Sequence, residues 1–367
     1  MLRTDPIVQK YPQYLPTEEE VSLTLELIQR PEHKELKKAL IEHIAIAGCL
    51  PSSLLRFCWQ ARQDKKYGAE CAEGALGWLA RCLTVRVKLN VDSLLDNGPF
   101  PEKWMEKYMS AMPISFHRTD KQGHPVMIQR LGNVDLEAFK LLWLEGEELQ
   151  AKAGLAVNAV VLFHIRCMEY LTQVVMGAES RKQGRVVDRM LAVMDLEGVG
   201  LKHLNSPLKA FFSAVAQNST PLFPEILHAN LVANVPWIVA KAGWPIAKSF
   251  LHPVTQDKFC MLSSSAEFKA KLLELMAPED IPPYFGGKCT CEECAGGALR
   301  GGSLWDFEQS RRRGEAAATL EAAAAAKVVQ PPNGNDHSTG TSPMRQPPPQ
   351  SLEITPPRSR GGDTEKA

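Results

Sequence analysis

Residues 223–259 read FPEILHANLVANVPWIVAKAGWPIAKSFLHPVTQDKF, and the fold turns on how this stretch is divided. A Pro-Glu turn at 224–225 leads into the apolar run 226–235, which predicts a buried strand. A Trp-rich helix follows over 236–250, interrupted by Pro245. Proline removes a helical hydrogen bond, so a kink is expected there. The stretch closes on a Pro-Val-Thr-Gln-Asp-Lys loop at 253–258. An acid (Glu225), a hydroxyl (Thr255) and a base (Lys258) thus bracket an amphipathic helix. Such an order suits contacts to an anionic group beside a movable apolar door.

Downstream, 258–263 predicts a strand and 265–276 a helix. Upstream, the apolar run 186–194 ending at Asp195 reads as a second buried strand, with a helix near 207–218 between the two. Further back, Thr119-Asp120-Lys121-Gln122-Gly123 is turn chemistry, followed by a strand over 125–131 and helices over 134–150 and 155–176. Strands alternating with helices predict an α/β fold with a mostly parallel, helix-covered sheet. The first 110 residues read as all helical. Thr17-Glu18-Glu19-Glu20 is a capping box, Pro31 and Pro51 open further helices, and Leu76, Leu79, Ala80, Leu83 and Val87 repeat at helical spacing.

Composition narrows the function. Lys+Arg and Asp+Glu balance at 42 each, so no global field draws the chain to nucleic acid or to an anionic bilayer. Any membrane contact is expected to be local and largely apolar. The opening 20 residues are polar and broken by three prolines, unlike a signal peptide, and no apolar run is expected to reach the roughly 18 residues of a membrane span. A cytoplasmic protein follows from this reading, with its nine cysteines reduced. From about Arg311 the chain becomes Ala-rich and then rich in Pro, Gly and Ser. It reads as a disordered tail, either plainly solvated or a partner-binding segment phosphorylated at Ser342 or Thr355.

No nucleophile elbow, phosphate-cradling loop or kinase motif set is present, so no enzyme and no cofactor are expected. His164, beside Arg166 and Glu169 in an apolar helix, reads as a satisfied core or boundary histidine rather than a catalytic base. Cys289-x-Cys291-x-x-Cys294 lacks a fourth ligand at ordinary spacing, so it reads as three loop thiols rather than a metal site.

Four segments then occur in order: HRTDKQGHPVMIQRLGNVD (117–135), VMDLEGV (193–199), the 223–259 stretch and IPPYFGG (281–287). Together they resemble the CRAL-TRIO lipid-binding domain, most closely that of the fungal and plant phosphatidylinositol-transfer proteins. CTCEECAGG (289–297) is similar to the end of the plant domains. The resemblance implies a helical lobe over 1–110, a lipid-binding domain over 111–297 whose sheet floors an apolar pocket, and a tail over 298–367. It implies a gate helix at 236–250, with Trp237, Ile238, Trp244 and Phe250 apolar and Lys241 and Lys248 on the other side. On composition alone, the same helix would pack on the core with two solvated lysines.

The resemblance also implies that Glu225, Thr255 and Lys258 hold a phosphatidylinositol head group; unliganded, Glu225 and Lys258 could simply pair. Arg62 matches a phosphate-binding arginine. The lysine that follows it in the family is Gln63 here, after an insertion, leaving Lys65 or Lys66 as substitutes. Met190 and Ala192 stand where phosphatidylcholine-binding members carry hydroxyls, whereas Ser219 matches. Phosphatidylcholine binding is therefore expected to be weakened. The implied protein is a monomeric carrier that touches membranes transiently and presents phosphatidylinositol to lipid kinases, or else a lipid-regulated scaffold or a binder of another small hydrophobe, without transfer activity.

Overall fold

The computed structural model describes residues 10–64, 71–112, 114–203, 206–237, 239–249 and 252–291. The helical first part opens at the expected capping box: Thr17 Oγ1 accepts from Glu20 N at 3.1 Å, and Glu20 Oε2 accepts from Thr17 N at 2.7 Å. It launches α1 (Glu18–Leu27). Then come α2 (Lys34–Ala39), continued by a π-turn over Leu40–Ile44, α3 (Leu50–Gln63), α4 (Cys71–Leu89) and α5 (Glu102–Ala111). Val87 departs from its expected place: it is 72% exposed. The neighbouring Arg86 turns inward instead, donating to both oxygens of buried Glu169 at 2.7 and 3.1 Å.

Five strands form one sheet in the order β1 (Ile114–Thr119), β2 (Pro125–Arg130), β3 (Met190–Asp195), β4 (Leu227–Ala233), β5 (Phe259–Met261). The β1–β2 pair is antiparallel and the other three pairings are parallel. β1 has no counterpart in the sequence reading, because a register shift between Phe116 and Thr119 breaks its alternation. β3 begins only at Met190, four residues later than expected. The preceding chain is spent on side-chain bonds: Val187 N donates to Ser180 Oγ at 2.8 Å, and Asp188 accepts from Ser52.

Long parallel crossovers fill the interval between strands. Between β2 and β3 run α6 (Leu136–Ala153), α7 (Ala159–Glu169) and α8 (Met176–Gln183), the last two joined by a π-turn over Tyr170–Val175. The continuous stretch Ala159–Gln183 is long and apolar enough to span a bilayer, which corrects the expectation that no such run exists. Its most apolar window is 83% buried within the chain, so packing accounts for its hydropathy. Next come α9 (Ser206–Leu222), α10 (Trp244–Ser249) and α11 (Pro253–Asp257), then α12 (Ser265–Leu275) after β5.

The 253–258 segment is thus a short helix and a turn rather than a loop. Pro253 sits at its first position, where a missing N–H costs nothing, and His252 caps it by accepting from Val254 N. Pro245 is accommodated by a π-turn over Val239–Gly243 immediately before α10. Such turns re-register the hydrogen bonds where proline cannot donate.

Side-chain alternation sorts the sheet into two faces. Val126, Ile128, Leu191, Val193, Leu231 and Ala233 pack with Phe268, Leu272, Met276, Ile281 and Phe285 beneath α12. Met127, Met190 and Ala192 face the opposite way, into an apolar cluster that reaches from Ile28 to Ile226 and so joins the early helices to the sheet.

Candidate functional site

A cavity of about 570 Å³ opens on that second face. Met127, Met190 and Met194 line it from alternate strand positions, and Met168 from α7. Methionines suit a wall that must conform to an irregular apolar guest. Phe211, Phe212 and Val215 of α9 also line it. Glu225, Thr255, Lys258 and Gln63 also belong to the lining, with Trp59 against Lys258.

Three chain segments make this polar group. Glu225 sits in the turn between α9 and β4 with φ +56°, a left-handed conformation that is strained for a glutamate and recurs where function holds it. Lys258 follows α11. Its backbone N donates to Thr255 O at 3.1 Å, and its carbonyl accepts from Asn230 N at 2.7 Å. Its Nζ donates to Glu225 Oε2 at 2.7 Å and lies 5.7 Å from the Trp59 ring centre. Gln63, from the last turn of α3, donates through Nε2 to Glu225 Oε1 at 2.9 Å. Both carboxylate oxygens are therefore occupied, one by an ammonium and one by an amide.

Arg62 is not brought to this group. It turns outward from α3 to Glu20 Oε1 at 2.5 Å. Burial raises the Glu20 pKa, but the hydrogen bonds from Arg62 and Thr17 outweigh it and hold the carboxyl below its ordinary range. Lys65 and Lys66 lie outside the described residues, as do Ile238 and Phe250. Of the remaining expected gate residues, Trp237 is 73% exposed, Lys241 and Lys248 are exposed, and Trp244 is half-buried with its ring 5.2 Å from Phe259. The end of α10 is tied to α11 where Gln256 Nε2 donates to Lys248 O at 3.0 Å.

His164 is a correction. It is buried in the cavity wall, but its Nδ1 has no hydrogen-bond partner among the described residues, so it is not satisfied. Burial alone pushes its pKa down to about 4, leaving the imidazole neutral near pH 7. Among the described residues Ser219 Oγ, on the same lining, also has no hydrogen-bond partner. Unsatisfied polar atoms are rare in native interiors. Ala192, by contrast, is buried in β3 and contributes nothing to the lining.

Among the described residues, two clusters carry metal-ligating atoms within 4.8 Å of one another: His117 with Cys289 and Cys291, and Asp120 with His124 and His228. In the second, Asp120 is engaged by its own turn, accepting from Gln122 N, His124 N and His124 Nδ1 at 2.8–2.9 Å.

A mostly parallel sheet carries an apolar cavity on one face, and the cavity lining includes the buried Glu225–Lys258 pair. Residues 110–287 match the family model described as the CRAL/TRIO domain. Phosphatidylinositol/phosphatidylcholine transfer protein SFH11 of Arabidopsis thaliana is 27% identical over 303 residues, covering 80% of this chain and 73% of that protein. SFH7 of the same plant, also described as a phosphatidylinositol/phosphatidylcholine transfer protein, is 28% identical over 251 residues. That alignment covers 67% of this chain but spans only 41% of SFH7. The Sec14 cytosolic factor of Schizosaccharomyces pombe is 29% identical over 236 residues, 64% of this chain and 75% of that one. The crystal structure of Sfh5 covers 66% of this chain and 77% of its own, at 18% identity and a TM-score of 0.46.

Proposed function

We propose that this chain binds phosphatidylinositol in the methionine-lined cavity and carries or presents it, acting as a carrier rather than a catalyst. One observation carries the reading. The lining of an apolar cavity includes a buried Glu225–Lys258 pair, so a guest with acyl chains and an anionic, hydroxyl-rich head finds both of its halves matched. Lys258 offers a point charge to a phosphodiester, Thr255 a hydroxyl, and Glu225 an acceptor for inositol hydroxyls. Support also comes from relatives described as phosphatidylinositol/phosphatidylcholine transfer proteins.

Transfer is the task that needs such a cavity. Two acyl chains carry roughly 30 methylenes, and at ~0.8 kcal/mol each their passage through water costs on the order of 25 kcal/mol. A protein that docks and encloses the chains avoids that passage. Docking in this reading uses exposed Trp237 on the gate segment, so contact with the bilayer is apolar, local and transient. The carrier works as a cytoplasmic monomer that supplies lipid kinases. Met190 in the cavity wall disfavours phosphatidylcholine, because a thioether gives a choline-phosphate no donor.

The test is transfer of labelled phosphatidylinositol between vesicles. Wild-type protein is expected to accelerate it, and the double variant Glu225→Ala/Lys258→Ala to lose the activity while keeping its circular dichroism. Unchanged transfer by the double variant removes the assigned head-group roles. Deleting residues 298–367 is expected to leave transfer intact.

A further inference from the structure

We propose that His117, Cys289 and Cys291 form a Zn²⁺ site that fastens the end of the domain to the edge strand β1. The site is separate from the lipid cavity and does not depend on the function assigned to it. A ring nitrogen of His117 and the two sulfurs lie within 4.8 Å of one another. Tetrahedral zinc, with bonds of about 2.3 Å to sulfur and 2.0 Å to nitrogen, needs ligand atoms about 3.5–3.8 Å apart, which small side-chain rotations supply. Thiolate with imidazole is a donor set for zinc and not for magnesium or calcium.

Two backbone devices build this juxtaposition. The first is the irregularity in β1: the register shifts between Phe116 and Thr119, and Arg118 takes φ +57°. Bulges of this kind re-aim side chains beside functional sites, and a left-handed arginine is a strain that something must repay. The second is the tight return of residues 287–289. Gly287 N donates to Pro282 O, Lys288 N to Pro278 O and Cys289 N to Ile281 O, at 3.1, 2.7 and 3.0 Å. A Cβ on Gly287 would fall 2.0 Å from Ile281 O, so only glycine permits the approach that delivers Cys289 to β1.

The surroundings suit the metal. A hydrogen bond with the Asp280 backbone orients buried His117. Arg118 hydrogen-bonds Cys289 and lies near Cys291, which places a positive charge beside both sulfurs. Sequence spacing alone gave only thiols, because the histidine comes from the far end of the domain. Cys294, next in the same run, lies outside the described residues.

The full chain, purified without chelators, is expected to carry about one zinc by elemental analysis. Co²⁺ exchanged into it should give intense visible bands and a thiolate charge-transfer band in the near ultraviolet. Cys291→Ser and His117→Ala should each weaken or abolish these signals, while Cys260→Ser leaves them. Should the ligand variants fail to fold, Zn²⁺ added to metal-free wild type should slow alkylation of Cys291 by iodoacetamide. Absence of zinc together with a featureless Co²⁺ spectrum overturns the site, as does metal binding unchanged by Cys291→Ser, or no protection by Zn²⁺.

Discussion

Lys258 Nζ donates to Glu225 Oε2 at 2.7 Å, with the two side chains only 5% and 6% exposed. Ions so enclosed are bound to each other, and removing one strands its partner without water. Lys258→Met is therefore expected to destabilise the unliganded protein by about 3–5 kcal/mol, with Glu225→Gln/Lys258→Met recovering most of that loss. Urea unfolding at pH 7 measures both. A single variant as stable as wild type would mean that the pair is solvated.

Gln63 sets the strength of the second contact to Glu225. Gln63→Ala removes one neutral hydrogen bond and is expected to cost about 1 kcal/mol in urea unfolding. Gln63→Lys adds a cation beside the head-group end of the cavity. Vesicle titrations are expected to give an affinity for phosphatidylinositol roughly tenfold higher, as a charge-assisted bond replaces a neutral one. A weaker affinity would place the phosphate elsewhere.

His164 makes stability depend on pH. Its folded pKa is about 4, against about 6.5 for an exposed histidine, so between those values the unfolded chain binds the extra proton. The contribution is complete above pH 6.5 and is lost as pH falls towards 4. Its full extent is on the order of 3 kcal/mol. His164→Phe should remove this slope, so the stability difference between variant and wild type should grow in the variant's favour from pH 7.5 to pH 4.5. A difference that does not change with pH would mean that the imidazole reaches water.

Trp237 is 73% exposed, and its truncation is expected to change folding stability by less than about 0.5 kcal/mol. Trp237→Ala should still reduce co-sedimentation with neutral vesicles about tenfold, because burying an indole in the bilayer is worth more than 1.4 kcal/mol. Equal sedimentation would move the docking surface away from the gate segment.

Much of this fold was legible because the periodicities were clean. The capping box at Thr17, the buried runs that became β3 and β4, and the α/β alternation all follow from local pattern. β1 was hidden by the left-handed Arg118, which breaks the period of two. The 253–258 helix was hidden by its length, since a single capped turn has no periodicity to read. In the site, Glu225 and Lys258 were legible as an acid and a base in order, but their bond depends on tertiary distance. Gln63 looked like a lost lysine, and only the structure reveals it as a donor to Glu225. Arg62 went the other way, matched in sequence yet drawn to Glu20. The methionine lining could have been found by counting alternate positions, which put Met190 and Met194 on one face.

The central claim is that the cavity holds phosphatidylinositol, and mass spectrometry of lipid extracted from the purified full chain tests it most directly. The account predicts phosphatidylinositol in near-stoichiometric amount, reduced sharply in Glu225→Ala/Lys258→Ala, with little phosphatidylcholine. A wild-type extract that contains no phospholipid, or only a neutral hydrophobe such as a tocopherol or retinoid, would contradict it.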